Sequence, residues 1–483
     1  MRFLFRLLTR AVTAVVIIIA TIVLVRAFDS RKLPDLRDWH RVELNSEYRV
    51  RRDGQIGSLA AYLAQEQRVF DELNAKIYAE VPASEQAAPS RFSPNSRFNP
   101  QNHATNWNRT VELTPEAPVG GVLMLHGLTD SPYSMRSMAQ QFHAKGFYVL
   151  ALRLPGHGTA PGALRHARWE DWQAVIEPAA RHVRSVVDAN QPFLIVGYSN
   201  GGVLAVNYAL DALDDDRLPM PDRLILMSPA IGVTPFAIFA TWHKALSWLD
   251  YFEKFEWQAV LPEYDPYKYN SFPKRAGRET YELALRAQER LSSLAASNAA
   301  SRYPPVLAFV SLVDATVFTE DTVEHLFRRL NRPEDELVLY DINRLRGIDQ
   351  LLKSEHQTLR GSIWEDTDRR FGLTLITNRT RNGAQVLARA SRQGEVSDRG
   401  IEGEWPSLVY SLSHVAIPFP PDDVWYGDGS GNTPDDFSLG MLTPRGEREV
   451  LIVPPDLLLR LRHNPFFEYQ AARVDEVLAE TLQ

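Results

Sequence analysis

The sequence predicts an α/β fold, and three observations predict it. Apolar runs of four to seven residues stand at 121–125, 192–196, 224–227 and 306–312, each with the length and composition of a buried strand. The first two end in turns that carry glycine, His126-Gly127-Leu128-Thr129-Asp130 and Gly197-Tyr198-Ser199-Asn200-Gly201. After the second turn Val203, Leu204, Val206 and Tyr208 read as helix, so strand, sharp turn and helix follow one another with a serine at the apex.

Taken in chain order, the first element is an apolar stretch without charge from Ala11 to Val25, flanked by Arg10 and Arg26. Counted from Leu7 to Phe28 it spans about 33 Å as a helix, enough for one bilayer crossing. Leu24-Val25-Arg26-Ala27-Phe28 offers no small-x-small cleavage site, so residues 1–30 read as a cytoplasmic stub and an uncleaved transmembrane anchor. Basic residues lie on both sides of the span; the very short basic N-terminus sets the expectation of a single-pass protein of a bacterial-type inner membrane, the remainder facing outward to the periplasm. Residues 31–109 follow. Leu59, Tyr62, Leu63, Val69, Phe70, Leu73 and Ile77 recur at helical spacing and predict a helix over 59–78, packed on the core or on the bilayer. From Val81 to Pro100 the chain is rich in Pro, Ser and Asn and reads as an extended connector. The main domain, 110–483, opens with a strand at 110–113 and closes with a helix over 469–482.

The chemistry concentrates at the turns. A backbone as crowded as the one at Ser199 requires glycine two residues to either side, here Gly197 and Gly201, and the helix behind it aims N–H groups at a developing oxyanion. This is the pattern of a nucleophile elbow. A fixed N–H donor lowers an acyl-transfer barrier by roughly 3 kcal/mol, and the candidate donors are the amides of Leu128, behind Gly127, and of Asn200. A serine hydroxyl also needs a base, and the base an orienting acid, on later strand ends. Asp314 stands two residues beyond the run 306–312 and is the candidate acid; it reads equally as the start of a turn or a helix cap, and Asp341 is the second candidate. His414 ends the run 408–417, read as one more strand, and is the candidate base; His356, in a polar stretch, is the second candidate.

The elbow, the His126-Gly127 turn, Leu154-Pro155-Gly156-His157-Gly158, Val313-Asp314-Ala315-Thr316-Val317 and Ser413-His414-Val415 together resemble the α/β-hydrolase superfamily, in particular monoglyceride lipases, carboxylesterases and serine aminopeptidase-like members. The resemblance covers roughly 110–340 and 405–425. It implies a mostly parallel central sheet with helices on both faces, a Ser199, Asp314, His414 triad, no cofactor, and a wall-forming place for His157. It also implies a helical cap between core strands, which falls at 231–300 and is rich in aromatic residues, among them Phe236, Trp242, Trp248, Phe255, Trp257, Tyr264, Tyr267 and Tyr269. About 70 additional residues separate Asp314 from His414 compared with the simplest members. They constitute an insertion at 342–406 with two strand-like runs around Asn382-Gly383, a hairpin signal, either extending the sheet edge or covering the site.

Composition narrows the classes. Residues 1–32 carry six Arg or Lys against one Asp, so the rest of the chain stands at −12 within a total of −7, which argues against nucleic-acid binding. There is no cysteine in 483 residues, which excludes disulfides, thiolate metal sites and cysteine catalysis, and no metal site is expected. The expected function is a membrane-anchored serine hydrolase acting on a small-molecule or lipid ester with an apolar acyl part, of lysolipid or monoacylglycerol type. The alternatives are a peptidase or amidase, for which Glu253, Glu256, Glu263 and Asp265 offer acidic groups to a free amine, and a non-catalytic binding protein. Oligomeric state is not legible.

Overall fold

Strands covered on both faces carry continuous apolar runs rather than alternating ones, and the central runs fold in that way. The computed structural model describes residues 33–233, 250–314, 316–344, 354–380, 382–407, 409–430, 438–441 and 460–482, with a few positions among the first 32. In chain order the strands are β1 (Val111–Leu113), β2 (Gly120–Leu125), β3 (Phe147–Leu152), β4 (Phe193–Tyr198), β5 (Arg223–Met227), β6 (Trp257–Ala259), β7 (Phe272–Pro273), β8 (Val306–Ser311), β9 (Glu336–Tyr340), β10 (Gly372–Asn378), β11 (Gln385–Arg392) and β12 (Glu395–Glu404). Ten of them form one sheet in the order β1-β3-β2-β4-β5-β8-β9-β10-β11-β12, while β6 and β7 form a separate ribbon. From β3 to β10 every neighbouring pair is parallel; β1, β11 and β12 are antiparallel to their neighbours. The strand order reverses between β2 and β4, which opens a crevice at their carboxyl ends, where α/β sheets place ligands.

The principal helices are α1 (Leu59–Lys76), α2 (Arg136–Ala144), α3 (Trp169–Val186), α4 (Asn200–Asp214), α5 (Lys274–Ala296), α6 (Ser354–Trp364) and α7 (Phe467–Thr481). One face of the sheet packs with residues of α3, α4 and α5 and the other with residues of α2 and α7, each as a continuous apolar cluster. The sheet therefore has helices on both faces, as the resemblance implies.

Helix α1 packs on the core. Its Glu66 accepts the N–H of Thr110 at 3.0 Å and the Thr110 hydroxyl at 2.8 Å, and the Tyr62 hydroxyl donates to the Arg153 carbonyl at 2.6 Å. Just before it, Glu47 meets the buried guanidinium of Arg153 at 2.6 Å. The stretch 81–109 differs from an extended connector: it runs as short turns, and Phe92, Phe98 and Trp107 bury their rings and fasten it to the main domain. Proline and serine signal turns, but three aromatic side chains decide where the turns lie. The candidate membrane span lies largely outside the described residues; the described positions between Arg6 and Thr21 are helical, and among the described residues no helix is long and apolar enough to cross a membrane.

One further stretch differs from its sequence reading. Residues 409–413 form no strand, and His414–Ala416 is a single 3-10 turn. The place beside β9 is already taken by β10, with β11 and β12 beyond it. Residues 409–412 instead cross the carboxyl ends of the sheet, accepting hydrogen bonds from Asn343 N–H at Tyr410, from the Asn343 amide at Val409 and from the Ser311 hydroxyl at Leu412. In the 342–406 stretch β10 pairs parallel with β9, and β11 and β12 add an antiparallel hairpin beyond it, so the stretch extends the sheet edge.

Of the 231–300 stretch, Phe236, Phe239, Trp242 and Trp248 lie outside the described residues. The rest is not all cap. Helix α5 flanks the core, its Arg286 holding Asn207 at 2.6 Å and Asp211 at 2.7 Å on α4. The β6–β7 ribbon and its loop close over the crevice, where the Tyr267 ring stacks on Tyr133 at 4.0 Å and the Tyr269 N–H donates to the Thr129 carbonyl at 2.8 Å. Those rings pack against each other and against the core.

Glycine decides how closely β2 and α4 approach. A Cβ on Gly201 would stand 2.0 Å from the Leu125 carbonyl oxygen, a backbone atom fixed at the end of β2. Gly201→Ala is expected to lower unfolding free energy by about 2–3 kcal/mol, measured by urea denaturation, whereas Gly400→Ala, whose Cβ meets nothing within 4 Å, leaves the midpoint unchanged.

Candidate active site

Ser199 sits between β4 and α4 at φ 51°, ψ −113°, a conformation that costs a residue with a Cβ about 1–3 kcal/mol. The neighbouring structure holds it there. Its N–H donates to the Met227 carbonyl at 2.9 Å, and its carbonyl accepts the N–H of Ala230 at 2.9 Å, both at the end of β5. The turn closes so tightly that a Cβ on Gly197 would lie 2.5 Å from the Gly201 carbonyl oxygen. Ser199 itself is half-buried, while Asn200 is fully buried and its amide oxygen accepts the Thr280 hydroxyl at 3.0 Å.

The turn after β2 runs alongside. A Cβ on Gly127 would stand 2.8 Å from the Tyr198 ring, so glycine lets this turn press against the elbow. Leu128 is half-buried, and Thr129 adopts φ 65°. Among the described residues the main-chain N–H groups of Leu128 and Asn200 donate no hydrogen bond. His126 acts as a strut: its Nε2 accepts the Leu154 N–H at 3.1 Å, so the protonated Nδ1 donates to the Gly127 carbonyl at 2.9 Å. Burial pushes its pKa down to about 3 and keeps it neutral. His157 packs edge-on against His126 at 4.9 Å, also buried, and desolvation with His126 nearby drives its pKa well below the ordinary imidazole value. Both histidines hold loops. The sequence signals a turn at His126-Gly127, but its tie to Leu154 is a tertiary contact that no local pattern carries.

Asp314 and His414 come together. Oδ1 of Asp314 accepts the N–H groups of Thr316 at 2.7 Å and Val317 at 3.0 Å, which is the turn-forming reading of this residue. Oδ2 accepts the His414 N–H at 2.9 Å and lies 3.1 Å from His414 Nδ1. The turn role and the histidine contact thus coexist on the two oxygens. Side-chain exposure is 2% for Asp314 and 10% for His414. Burial by itself raises the Asp314 pKa, but the charge and hydrogen bonding of His414 and the two backbone donors outweigh it and hold the carboxyl below its ordinary value. With Nδ1 toward Asp314, Nε2 is the ring nitrogen left for other chemistry. The His414 ring lies 6.5 Å from that of Tyr198, the residue before Ser199.

The second candidates are placed elsewhere. Asp341 is buried against Arg344 at 2.9 Å, Arg360 at 3.1 Å and the Thr377 hydroxyl at 2.8 Å. His356 lies on α6, and among the described residues neither Ser199 nor Asp314 is its hydrogen-bond or ion-pair partner. No group of three or more His, Cys, Asp or Glu side chains among the described residues is arranged to hold a metal ion.

The chain matches the family model of serine aminopeptidase, S33, over residues 116–341. It is 34% identical over 89 residues to a thermostable monoacylglycerol lipase of Bacillus sp. (strain H-257), covering 18% of this chain and 34% of that protein. It is 25% identical over 118 residues to phospholipase YtpA of Bacillus subtilis (strain 168), covering 24% of this chain and 43% of that protein. The chain thus spans less than half the length of either relative. Among solved structures, a monoacylglycerol lipase of Paleococcus ferrophilus is similar with a TM-score of 0.37 at 17% identity, covering 52% of this chain and 97% of that one.

The lowered pKa of Asp314 links its contacts to acid stability. Its contribution is fully present above the unfolded value of 3.8 and is lost as pH falls through the lower folded value. Asp314→Asn is therefore expected to be less stable than wild type at neutral pH, with a gap that narrows on acidification through the carboxylate range, read from urea unfolding at successive pH values.

Proposed function

We propose that this chain, which belongs to the α/β-hydrolase superfamily, is a serine hydrolase that cleaves carboxylic esters with an apolar acyl part through an acyl-enzyme. The observation that carries the proposal is the meeting of Asp314 and His414 beside the elbow. In the proposed cycle the Ser199 hydroxyl attacks the ester carbonyl and passes its proton to Nε2 of His414. Asp314 stabilises the imidazolium, and the N–H groups of Leu128 and Asn200 receive the oxyanion. The C–O bond to the alcohol then breaks as His414 returns the proton to the leaving oxygen. Water, deprotonated by the same ring, releases the acid. Relatives described as a monoacylglycerol lipase and a phospholipase support an acyl ester of lysolipid or monoacylglycerol type. The N-terminal apolar stretch supports an anchor in the bilayer with the catalytic domain outward.

The peptidase alternative needs an acidic group free to receive an amine. The four carboxylates that could offer one, Glu253, Glu256, Glu263 and Asp265, are occupied. Glu253 meets Arg41 at 2.9 Å and Glu256 meets Arg165 at 2.5 Å. Glu263 accepts the N–H groups of Ser271 and Asn270, and burial raises its pKa to about 7. Asp265 accepts the Tyr426 hydroxyl and the N–H groups of Tyr267 and Lys268.

A fluorophosphonate is expected to label the wild type and not Ser199→Ala, whose ester turnover drops by about 10⁴-fold or more; absence of wild-type labelling would favour the binding-protein alternative. His414→Ala loses comparable activity and His356→Ala keeps it. Nitrophenyl esters of increasing chain length are turned over in preference to aminoacyl anilides. The protein sediments with membranes, and deletion of residues 1–30 releases it.

A further inference from the structure

A cavity of about 130 Å³ opens beside the candidate site, between the turn after β2 and the segment that follows His414, with Asp130, Tyr198 and Val415 in its wall. Its lining is also cationic. Lys268 from the loop between β6 and β7 and Arg460 and Arg462 from the C-terminal segment all line it. Two of these charges are balanced, Lys268 by Asp130 at 3.0 Å and Arg462 by the buried Asp265 at 3.5 Å. Arg460 is exposed and has no ion-pair or hydrogen-bond partner among the described residues. Among the described residues three cations therefore face two carboxylates, and Arg460 is left without a counter-ion there.

We propose that this cavity is a subsite for a phosphate group on the alcohol side of the substrate, so that the preferred esters are acyl esters of glycerol phosphate. The inference rests on the proposed ester hydrolysis and adds which ester. The side follows from the proton inventory. His414 has to protonate the leaving oxygen, so the alcohol departs next to that ring, and Val415 in the cavity wall is its neighbour in the chain. The ligand chemistry follows from the donors: guanidinium groups match phosphate oxygens in paired hydrogen bonds, and an ammonium adds a third contact. A neutral glycerol offers the exposed Arg460 no charge to pair with; a phosphate does.

Two readouts test this. Glycerol 3-phosphate is expected to raise the thermal midpoint of the wild type, glycerol to leave it unchanged, and Arg460→Glu to abolish the shift. In turnover, the ratio of kcat/KM for lysophosphatidic acid over a monoacylglycerol of the same acyl chain falls about tenfold in Arg460→Glu, the loss of one charge-assisted contact. Arg217→Gln, a surface change on an 88% exposed side chain, leaves the ratio as in the wild type. A ratio unmoved by Arg460→Glu, or a wild type that favours the neutral ester, overturns the proposal, as does inorganic phosphate reproducing the thermal shift without any preference for the anionic ester, which marks a free-anion site. A glycerol 3-phosphate shift that depends on Arg460, in a protein that hydrolyses neither ester, keeps the subsite and rejects the hydrolase reading.

Discussion

The contact between Asp314 and His414 joins positions 100 residues apart in the chain, and the rest of the architecture can be understood as what allows it. Between them the chain completes two more parallel strands, turns through an antiparallel edge and returns across the carboxyl ends of the sheet. Nothing local brings the two together. Asp314 is held by the turn it starts, His414 by its own N–H bonded to the same carboxylate, and the crossing segment by Asn343 and Ser311. Each partner is oriented through its main chain as well as its side chain. A carboxylate that accepts three backbone N–H groups and lies against an imidazole stays ionised, which is the property an orienting acid requires.

Around that contact the site is assembled by close approach. Glycine at 127, 197 and 201 lets two turns and the first turn of a helix come within distances that any side chain would prevent, and the strain at Ser199 is balanced by two backbone hydrogen bonds to the end of β5. The buried neutral histidines 126 and 157 tie the turn after β2 to the loop after β3. This buried support meets a charged cavity lining, to which the β6–β7 loop and the C-terminal segment contribute Lys268, Arg460 and Arg462.

How much of this was legible in the sequence depends on the range of each interaction. The elbow at Ser199 reads directly because its glycine requirement is steric and acts within five residues. Asp314 reads from its place after an apolar run. His414 reads as a residue but not as an element, because whether 408–413 forms a strand depends on which edge of the sheet is free, and β10 had taken it. The connector read over 81–100 folds as turns for a related reason: its proline and serine are local signals, whereas the docking of Phe92 and Phe98 depends on surfaces formed elsewhere. The cationic wall was invisible, since Arg462 and Asp265 stand 197 residues apart.

The outermost strand, β12, is exposed along its length and carries Glu395, Asp398, Arg399, Glu402 and Glu404. A ten-stranded sheet would otherwise present a row of unpaired backbone donors and acceptors to any passing extended chain. Another molecule adding a strand there would have to strip water from five charged groups in quick succession, so the sheet ends in a self-terminating border that discourages fibre-like growth.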